Sequence, residues 1–306
     1  MNKLLSSSKN TKRIIPLHYR LLGRALNLLS YINNELAASI LSKLWFTVFK
    51  SKPKPWVVKF WQTADSRLEI IVKDKIIPVH LWGKGPLIVM MHGWSGSGTQ
   101  FRKFIPALVK AGYQIAIFDA PSHGINQGNK THLIEFCDTL IAIQNKLGNI
   151  NSIISHSFGS MATVVAMQKG LTAERIILIS PHLDANEMHK TYSDLLNLNH
   201  RLSMRFRALI ELKMNRILKV NKVWSYLSPE NLLSHNNCKG LLIFDLEDEE
   251  IPQKQFKDIE NYWIKSTTIT TKGLGHHRIL KDINIINEVL NYVGNTSECK
   301  HVINGL

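Results

Sequence analysis

The stretch IISHSFGSMA, residues 153–162, governs the prediction of the fold. Its first half is strand-like, its second half is rich in small residues and helix-like, and Ser157 stands at the bend between them. In the nucleophile-elbow pattern Gly-x-Ser-x-Gly, the residues two places from the serine must be small because strand and helix approach closely there. Those places hold Ser155 and Gly159, so the missing first glycine weakens the pattern without breaking it. Taken alone, the match also fits an ordinary strand–helix junction.

Strand-like runs recur on both sides of this stretch and alternate with helical patterns. The helical period is seen at Phe136, Leu140 and Ile143, and again near the end at Ile286 and Val289. This alternation implies βαβ crossovers, so we predict an α/β protein with a mostly parallel sheet of about eight strands and helices on both faces. The first two runs suit an antiparallel pair. The predicted strands are 68–74, 76–82, 86–92, 114–119, 151–155, 175–180, 240–245 and 267–271.

One interval interrupts the alternation. About sixty residues separate the strands 175–180 and 240–245, and within them 199–220 has the pattern of a helix with Leu202, Phe206 and Ile210 on one side. A helical insertion at the C-terminal edge of a parallel sheet lies over the crevice where α/β proteins bind ligands. Residues 184–236 are therefore predicted to form a helical lid, and residues 61–183 and 237–306 the core.

Residues 1–60 are predicted to be a basic N-terminal extension, with eleven Lys or Arg and a single acid, Glu35, in a chain of net charge +15. Residues 1–24 are weakly periodic and are expected to be loosely ordered. Residues 28–48 predict one amphipathic helix, ended by the prolines of SKPKP at 51–55. We expect this helix to dock on the core; weak peripheral contact with an anionic membrane is the alternative. Its apolar stripe comprises Ile32, Leu36, Ile40, Leu44 and Val48.

Composition narrows the class of protein. Apolar residues make up 44% and charged residues 20%, as in globular proteins. The three cysteines are far apart and show neither zinc spacing nor a disulfide framework, which favours a reducing compartment. No signal-peptide pattern is present, and no run approaches the ~18 apolar residues of a membrane span. The predicted location is the cytoplasm, or peripherally the membrane surface, and no motif supports nucleic-acid binding.

The loop HGWSGSG, residues 92–98, follows the apolar run 86–92 and offers backbone N–H donors. Acyl transfer needs two such donors for the oxyanion, and the N–H groups of Trp94 and Phe158 would supply them. A competing interpretation of the glycines is a phosphate cradle. Their order, G-x-x-G-x-G, reverses the dinucleotide fingerprint, and no Gly-Lys-Ser/Thr follows, so nucleotide binding is disfavoured.

An acyl-transfer site also needs a base and an acid that orients it. The acidic loop FDLEDEEIP, residues 244–252, follows the seventh strand, and GLGHHRIL, residues 273–280, follows the eighth. The chain order of serine, acid and histidine differs from both serine-protease orders. The residues leave alternatives open at this point: an acid among Asp245, Glu247, Asp248, Glu249 and Glu250, and a base at His276 or His277.

Taken together, these segments resemble the α/β-hydrolases of the serine-hydrolase type, and in particular a widespread bacterial group of esterase- and lipase-like members. The resemblance implies Ser157 as nucleophile, with Trp94 and Phe158 as oxyanion donors. It selects Asp248, because the family acid lies three places before the apolar residue of D-x-x-[VI]-P. It selects His276, because the family base directly follows the glycine of a Gly-His pair. The matching segments are PLIVMMHGWSGSGTQF, IAIFDAPSHGIN, IISHSFGSMA, LLIFDLEDEEIP and TKGLGHHRIL, in family order across residues 86–280.

Several polar residues near these motifs are predicted to be structural. His277 is expected to be a surface or packing residue, and His156, beside the nucleophile, should point away from the reaction. His92, Asp119 and His123 lie in the motifs HG and DAPSHG and are expected to shape the loops around the site by hydrogen bonding.

The predicted function is a serine hydrolase that cleaves a carboxylic ester, or a related acyl bond, of a small-molecule substrate through an acyl-enzyme. No metal and no organic cofactor is expected. Two alternatives stay open: a catalytically idle α/β-hydrolase fold used for binding, and an acyltransferase or peptidase that uses the same three residues.

Overall fold

The computed structural model describes residues 16–50, 52–234, 236 and 238–294. Its centre is one eight-stranded sheet. In chain order the strands are β1 (Ser66–Val72), β2 (Lys75–Trp82), β3 (Leu87–Met91), β4 (Gln114–Phe118), β5 (Ile150–His156), β6 (Ala173–Ile179), β7 (Lys239–Asp245) and β8 (Ser266–Thr271). Each of the eight predicted strands is confirmed, with both ends within two residues of the prediction.

The strands lie in the order β1-β2-β4-β3-β5-β6-β7-β8. β1 pairs antiparallel with β2, β2 pairs antiparallel with β4, and all later neighbours are parallel. The predicted opening antiparallel pair and mostly parallel sheet are therefore confirmed. Because β3 and β5 lie in the middle, the loops that follow them meet at the same edge of the sheet.

Helices cover both faces of the sheet, and β3 illustrates the burial. All five of its residues are buried, with Val89 in the apolar core on one face and Ile88 in the core on the other. The helices are α1 (Leu17–Ile32), α2 (Asn34–Trp45), α3 (Pro55–Trp61), α4 (Ile105–Lys110), α5 (Leu133–Leu147), α6 (Phe158–Met167), α7 (Ala185–Leu195), α8 (His200–Leu218), α9 (Val223–Tyr226), α10 (Pro229–Leu233), α11 (Gln253–Tyr262), α12 (Gly275–Arg278) and α13 (Ile283–Gly294).

The prediction for the N-terminal region needs correction. The single helix predicted over 28–48 is two helices, α1 and α2, because Asn33 leaves the helical conformation (φ −146°, ψ 96°) and its side chain accepts a hydrogen bond from the Leu36 N–H. Residues 17–24, expected to be loosely ordered, belong to α1; residues 1–15 lie outside the described part.

The predicted apolar stripe is not the buried face. Its members Ile32 and Leu36 are 86% and 49% exposed, and α2 buries Ala37, Ala38 and Leu41 instead. α2 packs against α8.

The helices α1 and α2 lie against the 184–236 insertion. The Asn27 side chain donates to Asn197 O (2.8 Å) and accepts from the Asn199 N–H (2.9 Å). A Cβ at Gly23 would stand 1.7 Å from Leu196 O, so only glycine allows α1 to cross there. The predicted helix over 199–220 is confirmed as α8. Among the described residues, no helix is long and apolar enough to cross a membrane.

Candidate active site

Ser157 stands on a sharp turn between β5 and α6. Its backbone lies at φ 53° and ψ −126°, which a non-glycine residue adopts only when the surroundings enforce it. Its N–H donates to Ile179 O at 3.1 Å, which ties the turn to β6. A Cβ at Gly159 would lie 2.5 Å from His92 O and 2.7 Å from Met91 O, so helix and strand approach as closely as the elbow pattern requires.

The serine in place of the first glycine fits its position. Ser155 is fully buried in β5, between Met91 of β3 and Leu178 of β6. Its small side chain leaves the three central strands in register at this point. The departure at Ser155 therefore does not disturb the elbow.

His276 and Asp248 meet although they are 28 residues apart in the chain. His276 Nδ1 donates to Asp248 Oδ2 at 2.8 Å, and both side chains are buried. The second oxygen, Asp248 Oδ1, accepts the N–H groups of Glu250 (2.8 Å) and Ile251 (3.1 Å). The carboxylate is therefore fixed in orientation, and its bond to Nδ1–H leaves Nε2 as the ring nitrogen that can accept a proton.

His156 joins the loop that carries His276 to the strand that carries Ser157. His156 Nε2 donates to His276 O at 2.9 Å, and the two rings lie 4.6 Å apart. Within the described residues, Ser157 Oγ forms no hydrogen bond to His276 Nε2; such contacts often tighten only when substrate binds. His156 is buried and has a structural role, as predicted, but the expectation that it points away from the site is wrong, because its ring lies against that of His276.

The loop after β3 lies directly over Ser157. A Cβ at Gly93 would be 2.9 Å from Ser157 Cβ and 3.4 Å from its Oγ. In the part of the chain that the structure describes, the N–H groups of Trp94 and Phe158 donate to no protein acceptor. The rings of Trp94 and Phe158 pack edge to face (5.4 Å) and both contact Phe136, which holds the two backbones in place.

The loop-shaping role predicted for His92, Asp119 and His123 is confirmed. His92 Nε2 accepts the Ala120 N–H and His123 Nε2 accepts the Ser95 N–H, both at 2.9 Å. Asp119 accepts the N–H groups of Gly98 (2.7 Å) and Ile125 (2.9 Å). These bonds join loop 92–98 to loop 119–126 and so fix the backbone at Trp94.

The strands β3 to β8 and the elbow lie within a part of the chain that matches a known family. A family model described as the alpha/beta hydrolase fold matches residues 86–274, more than half of the chain. The chain belongs to this α/β-hydrolase family. The fold class predicted from the sequence is thereby confirmed, and the protein is an α/β-hydrolase with helices on both faces of its sheet.

Known proteins extend this likeness. An esterase from Exiguobacterium antarcticum superposes with a TM-score of 0.57 at 13% identity, covering 75% of this chain and 100% of that chain. Proline iminopeptidase of Mycobacterium smegmatis gives 0.54 at 12% identity, covering 74% and 97%. The magnesium-chelatase 30 kDa subunit of Rhodobacter capsulatus is 29% identical over 125 residues, which span 37% of this chain and 42% of that protein. At these identities the solved structures show that the fold is shared.

A cavity of about 450 Å³ opens beside Ser157 in this α/β-hydrolase. Three parts of the chain enclose it: the loops at the sheet edge, the 184–236 insertion, and the N-terminal helices. The N-terminal contribution was not foreseen, because periodicity does not reveal which surface a helix covers. The apolar side chains that enclose the cavity include Tyr19, Leu22, Trp45, Met188, Tyr192 and Trp224.

Two further polar side chains line the cavity, and sequence reasoning missed their roles. His182 follows β6, its N–H donates to Ser157 O (3.2 Å), and its Nε2 has no partner in the described residues. Burial lowers the pKa of His182 to about 4, so it is neutral near pH 7. Glu250, one of the candidate acids, has its Oε2 3.7 Å from His276 Nε2 and its Oε1 3.0 Å from His277 Nε2. The contact with Glu250 raises the pKa of His277.

The histidines at the site also form a cluster with metal-binding spacing. One ligand atom from each of His156, His276 and His277 lies within 4.8 Å of the others. His156 Nε2 and His276 Nδ1 are already engaged, with His276 O and Asp248. An ion held by the cluster would therefore have to take His276 Nε2, the atom that a proton-transfer role requires.

Acidification is expected to destabilise the protein. Burial lowers the pKa of His123 to about 3 and holds those of His92 and His156 below the ordinary value near 6.5. Below about pH 6.5 these histidines bind protons in the unfolded chain but stay neutral in the folded chain. The free energy of unfolding therefore falls as the pH falls. Each group contributes at most about 1.4 kcal/mol per pH unit. Thermal denaturation should give a lower Tm at about pH 5 than at pH 7.5; an equal Tm would contradict the expectation.

Proposed function

We propose that this α/β-hydrolase is a serine hydrolase that cleaves a carboxylic ester through an acyl-enzyme. The observation that carries the proposal is the strained Ser157 at the floor of an apolar cavity, joined through His156 to a hydrogen-bonded His276–Asp248 pair. Nucleophile, base and orienting acid form the constellation that acyl transfer needs. Ester-cleaving and peptide-cleaving proteins are both among its structural neighbours.

In the first half-reaction, Ser157 Oγ attacks the ester carbonyl carbon while His276 Nε2 takes its proton. Asp248 accepts the Nδ1–H, which holds the neutral imidazole in the useful tautomer and stabilises its charged form. The tetrahedral intermediate expels the alcohol, whose oxygen takes the proton back from Nε2. Acyl-Ser157 remains.

The oxyanion of this intermediate is expected to bind the N–H groups of Trp94 and Phe158. Among the described residues neither N–H group has a protein acceptor, which supports the assignment, as does the close approach of Gly93 to Ser157. Each such donor is worth about 3 kcal/mol in the transition state. In the second half-reaction, His276 takes a proton from water, the water oxygen attacks the acyl carbon, and Ser157 leaves with the proton from Nε2.

The lining of the cavity favours an acyl group with an apolar chain. Side chains from α1, α2, α7 and α9 surround the space above Ser157, and the aromatic ones among them offer apolar surface at low entropic cost. Burial of one methylene is worth about 0.8 kcal/mol. The gain should be expressed in kcat/KM, because the chain is bound in the transition state as well.

A series of p-nitrophenyl esters of increasing chain length tests this function. We expect kcat/KM to rise by up to about fourfold per methylene until the cavity is full, and then to fall. Leu22→Trp narrows the cavity from α1 and should shorten the preferred chain, whereas Leu28→Trp, on the outer face of the same helix, should not. Turnover that requires an added alcohol would indicate an acyltransferase, and no turnover of any ester or amide would indicate an idle binding fold.

A further inference from the structure

The helix α1 has two apolar faces, although only one of them packs on the protein. The inner face carries Leu26, which is buried, and Leu22, which lines the cavity. The outer face carries a row with helical spacing, which we call the outer stripe: Leu17, Leu21, Leu28 and Ile32, exposed by 65%, 53%, 68% and 86%. A surface helix ordinarily places polar residues on the side that faces water. The outer stripe therefore requires an explanation beyond folding.

Two further large apolar side chains of the N-terminal region are exposed. Tyr31, one position before Ile32, is 72% exposed, and Phe49 is 66% exposed. Phe49 also lines the cavity, so apolar surface open to solvent reaches the wall of the active-site cavity. Patches of this kind mark interaction sites with proteins or membranes.

Basic side chains flank the outer stripe. Arg20 and Arg24 are exposed and lie along one edge of the stripe, one helical turn apart. Residues 16–60 contain seven Lys or Arg and one acid, Glu35. The Glu35 carboxylate is bound by the Arg205 guanidinium (2.7 Å), which belongs to α8. The surface next to the stripe thus presents cations and attracts anions.

The geometry points to an anionic lipid surface as the partner of the outer stripe. A helix with an apolar face and flanking basic residues lies in the plane of the bilayer interface, with the apolar side chains among the acyl chains and the cations at the headgroups. Because the inner face of α1 walls the cavity, docking would bring the lipid against the outer wall of the active-site cavity. Self-association through the stripe is disfavoured, since an isologous contact would face the same cations to each other.

Vesicle flotation with the full chain in the Ser157→Ala background tests docking separately from catalysis. We expect the protein to float with phosphatidylserine–phosphatidylcholine vesicles and much less with phosphatidylcholine alone. Leu28→Ser/Ile32→Ser should lower the partition coefficient by more than about tenfold. Arg20→Gln/Arg24→Gln should lower it by about fivefold per charge, with anionic vesicles only. Ile71→Ser/Ile264→Ser removes two equally exposed apolar side chains elsewhere and should change nothing.

Several outcomes would overturn the proposal. No flotation of the folded protein would do so, as would equal flotation of the stripe variant and its parent. Equal flotation with both vesicle types would overturn the role of the cations. A parent protein that does not float but dimerises, and whose stripe variant is monomeric by light scattering, would assign the stripe to a second copy. Circular dichroism melts of every variant establish that the compared proteins are folded.

Discussion

The Ser157→Ala variant is expected to hydrolyse a good p-nitrophenyl ester with kcat reduced by roughly a millionfold. The reason is chemical: alanine offers no atom to form the acyl-enzyme, and the remaining donors only position a water. The same change should abolish labelling by a fluorophosphonate probe, which the parent takes up at Ser157. The measurements are stopped-flow or steady-state kinetics and mass spectrometry of the labelled peptide.

The control for this variant is a second serine of the same segment. Ser160 is fully buried in α6, three positions on, and its Oγ has no partner in the described residues. Ser160→Ala also removes a serine hydroxyl, three residues from Ser157, and should leave kcat within about twofold of the parent value. Because alanine keeps the Cβ at the strained elbow, Ser157→Ala should melt close to the parent. Substantial turnover by a folded Ser157→Ala protein would refute the assignment and direct attention to Ser95, which also lines the cavity.

Much of the core could be predicted because the sequence patterns that specify its strands and its elbow each lie within a short segment. The run 86–92 is apolar almost without interruption, and this is what a strand buried on both faces requires. The elbow could be predicted despite Ser155, because the position that requires glycine is Gly159, where a Cβ would collide with His92 O. The positions of Asp248 and His276 followed from family spacing, and the structure brings their side chains together at 2.8 Å.

The N-terminal region was harder to predict because its outcome depends on tertiary contacts. A four-residue apolar period over 28–48 predicted one helix, but a single capping asparagine, Asn33, divides it. The period also placed Ile32 and Leu36 on the packed face, whereas α2 buries Ala37, Ala38 and Leu41 instead. Periodicity identifies an apolar row but cannot tell which row meets the protein. Two faces of α1 are apolar. The contacts of Gly23 and Asn27 with the 184–236 insertion determine which of these faces packs on the protein.

The second large effect is expected from Asp248→Asn, with kcat reduced by roughly ten-thousandfold. The hydrogen bonds of the loop decide how the new amide lies. Asp248 Oδ1 accepts two backbone N–H groups, from Glu250 and Ile251, so the amide oxygen of asparagine will stay there. Its NH₂ group must then face His276 Nδ1 and donate to it. The imidazole is forced into the tautomer that carries its proton on Nε2, which cannot take a proton from Ser157.

Glu249→Gln is the matched control, because it removes one carboxylate from the same loop at an exposed position. It should leave kcat within about twofold of the parent value.

Asp245→Asn has a different expected effect. Burial favours the neutral form of Asp245, but bonds from the Thr271 hydroxyl and the Leu274 N–H outweigh it and lower the pKa, so the carboxylate stabilises the fold above its unfolded pKa. Asp245→Asn should therefore lower Tm at pH 7. Full activity in Asp248→Asn, together with loss in Asp245→Asn or Glu249→Gln at unchanged Tm, would move the acid to another carboxylate of this loop.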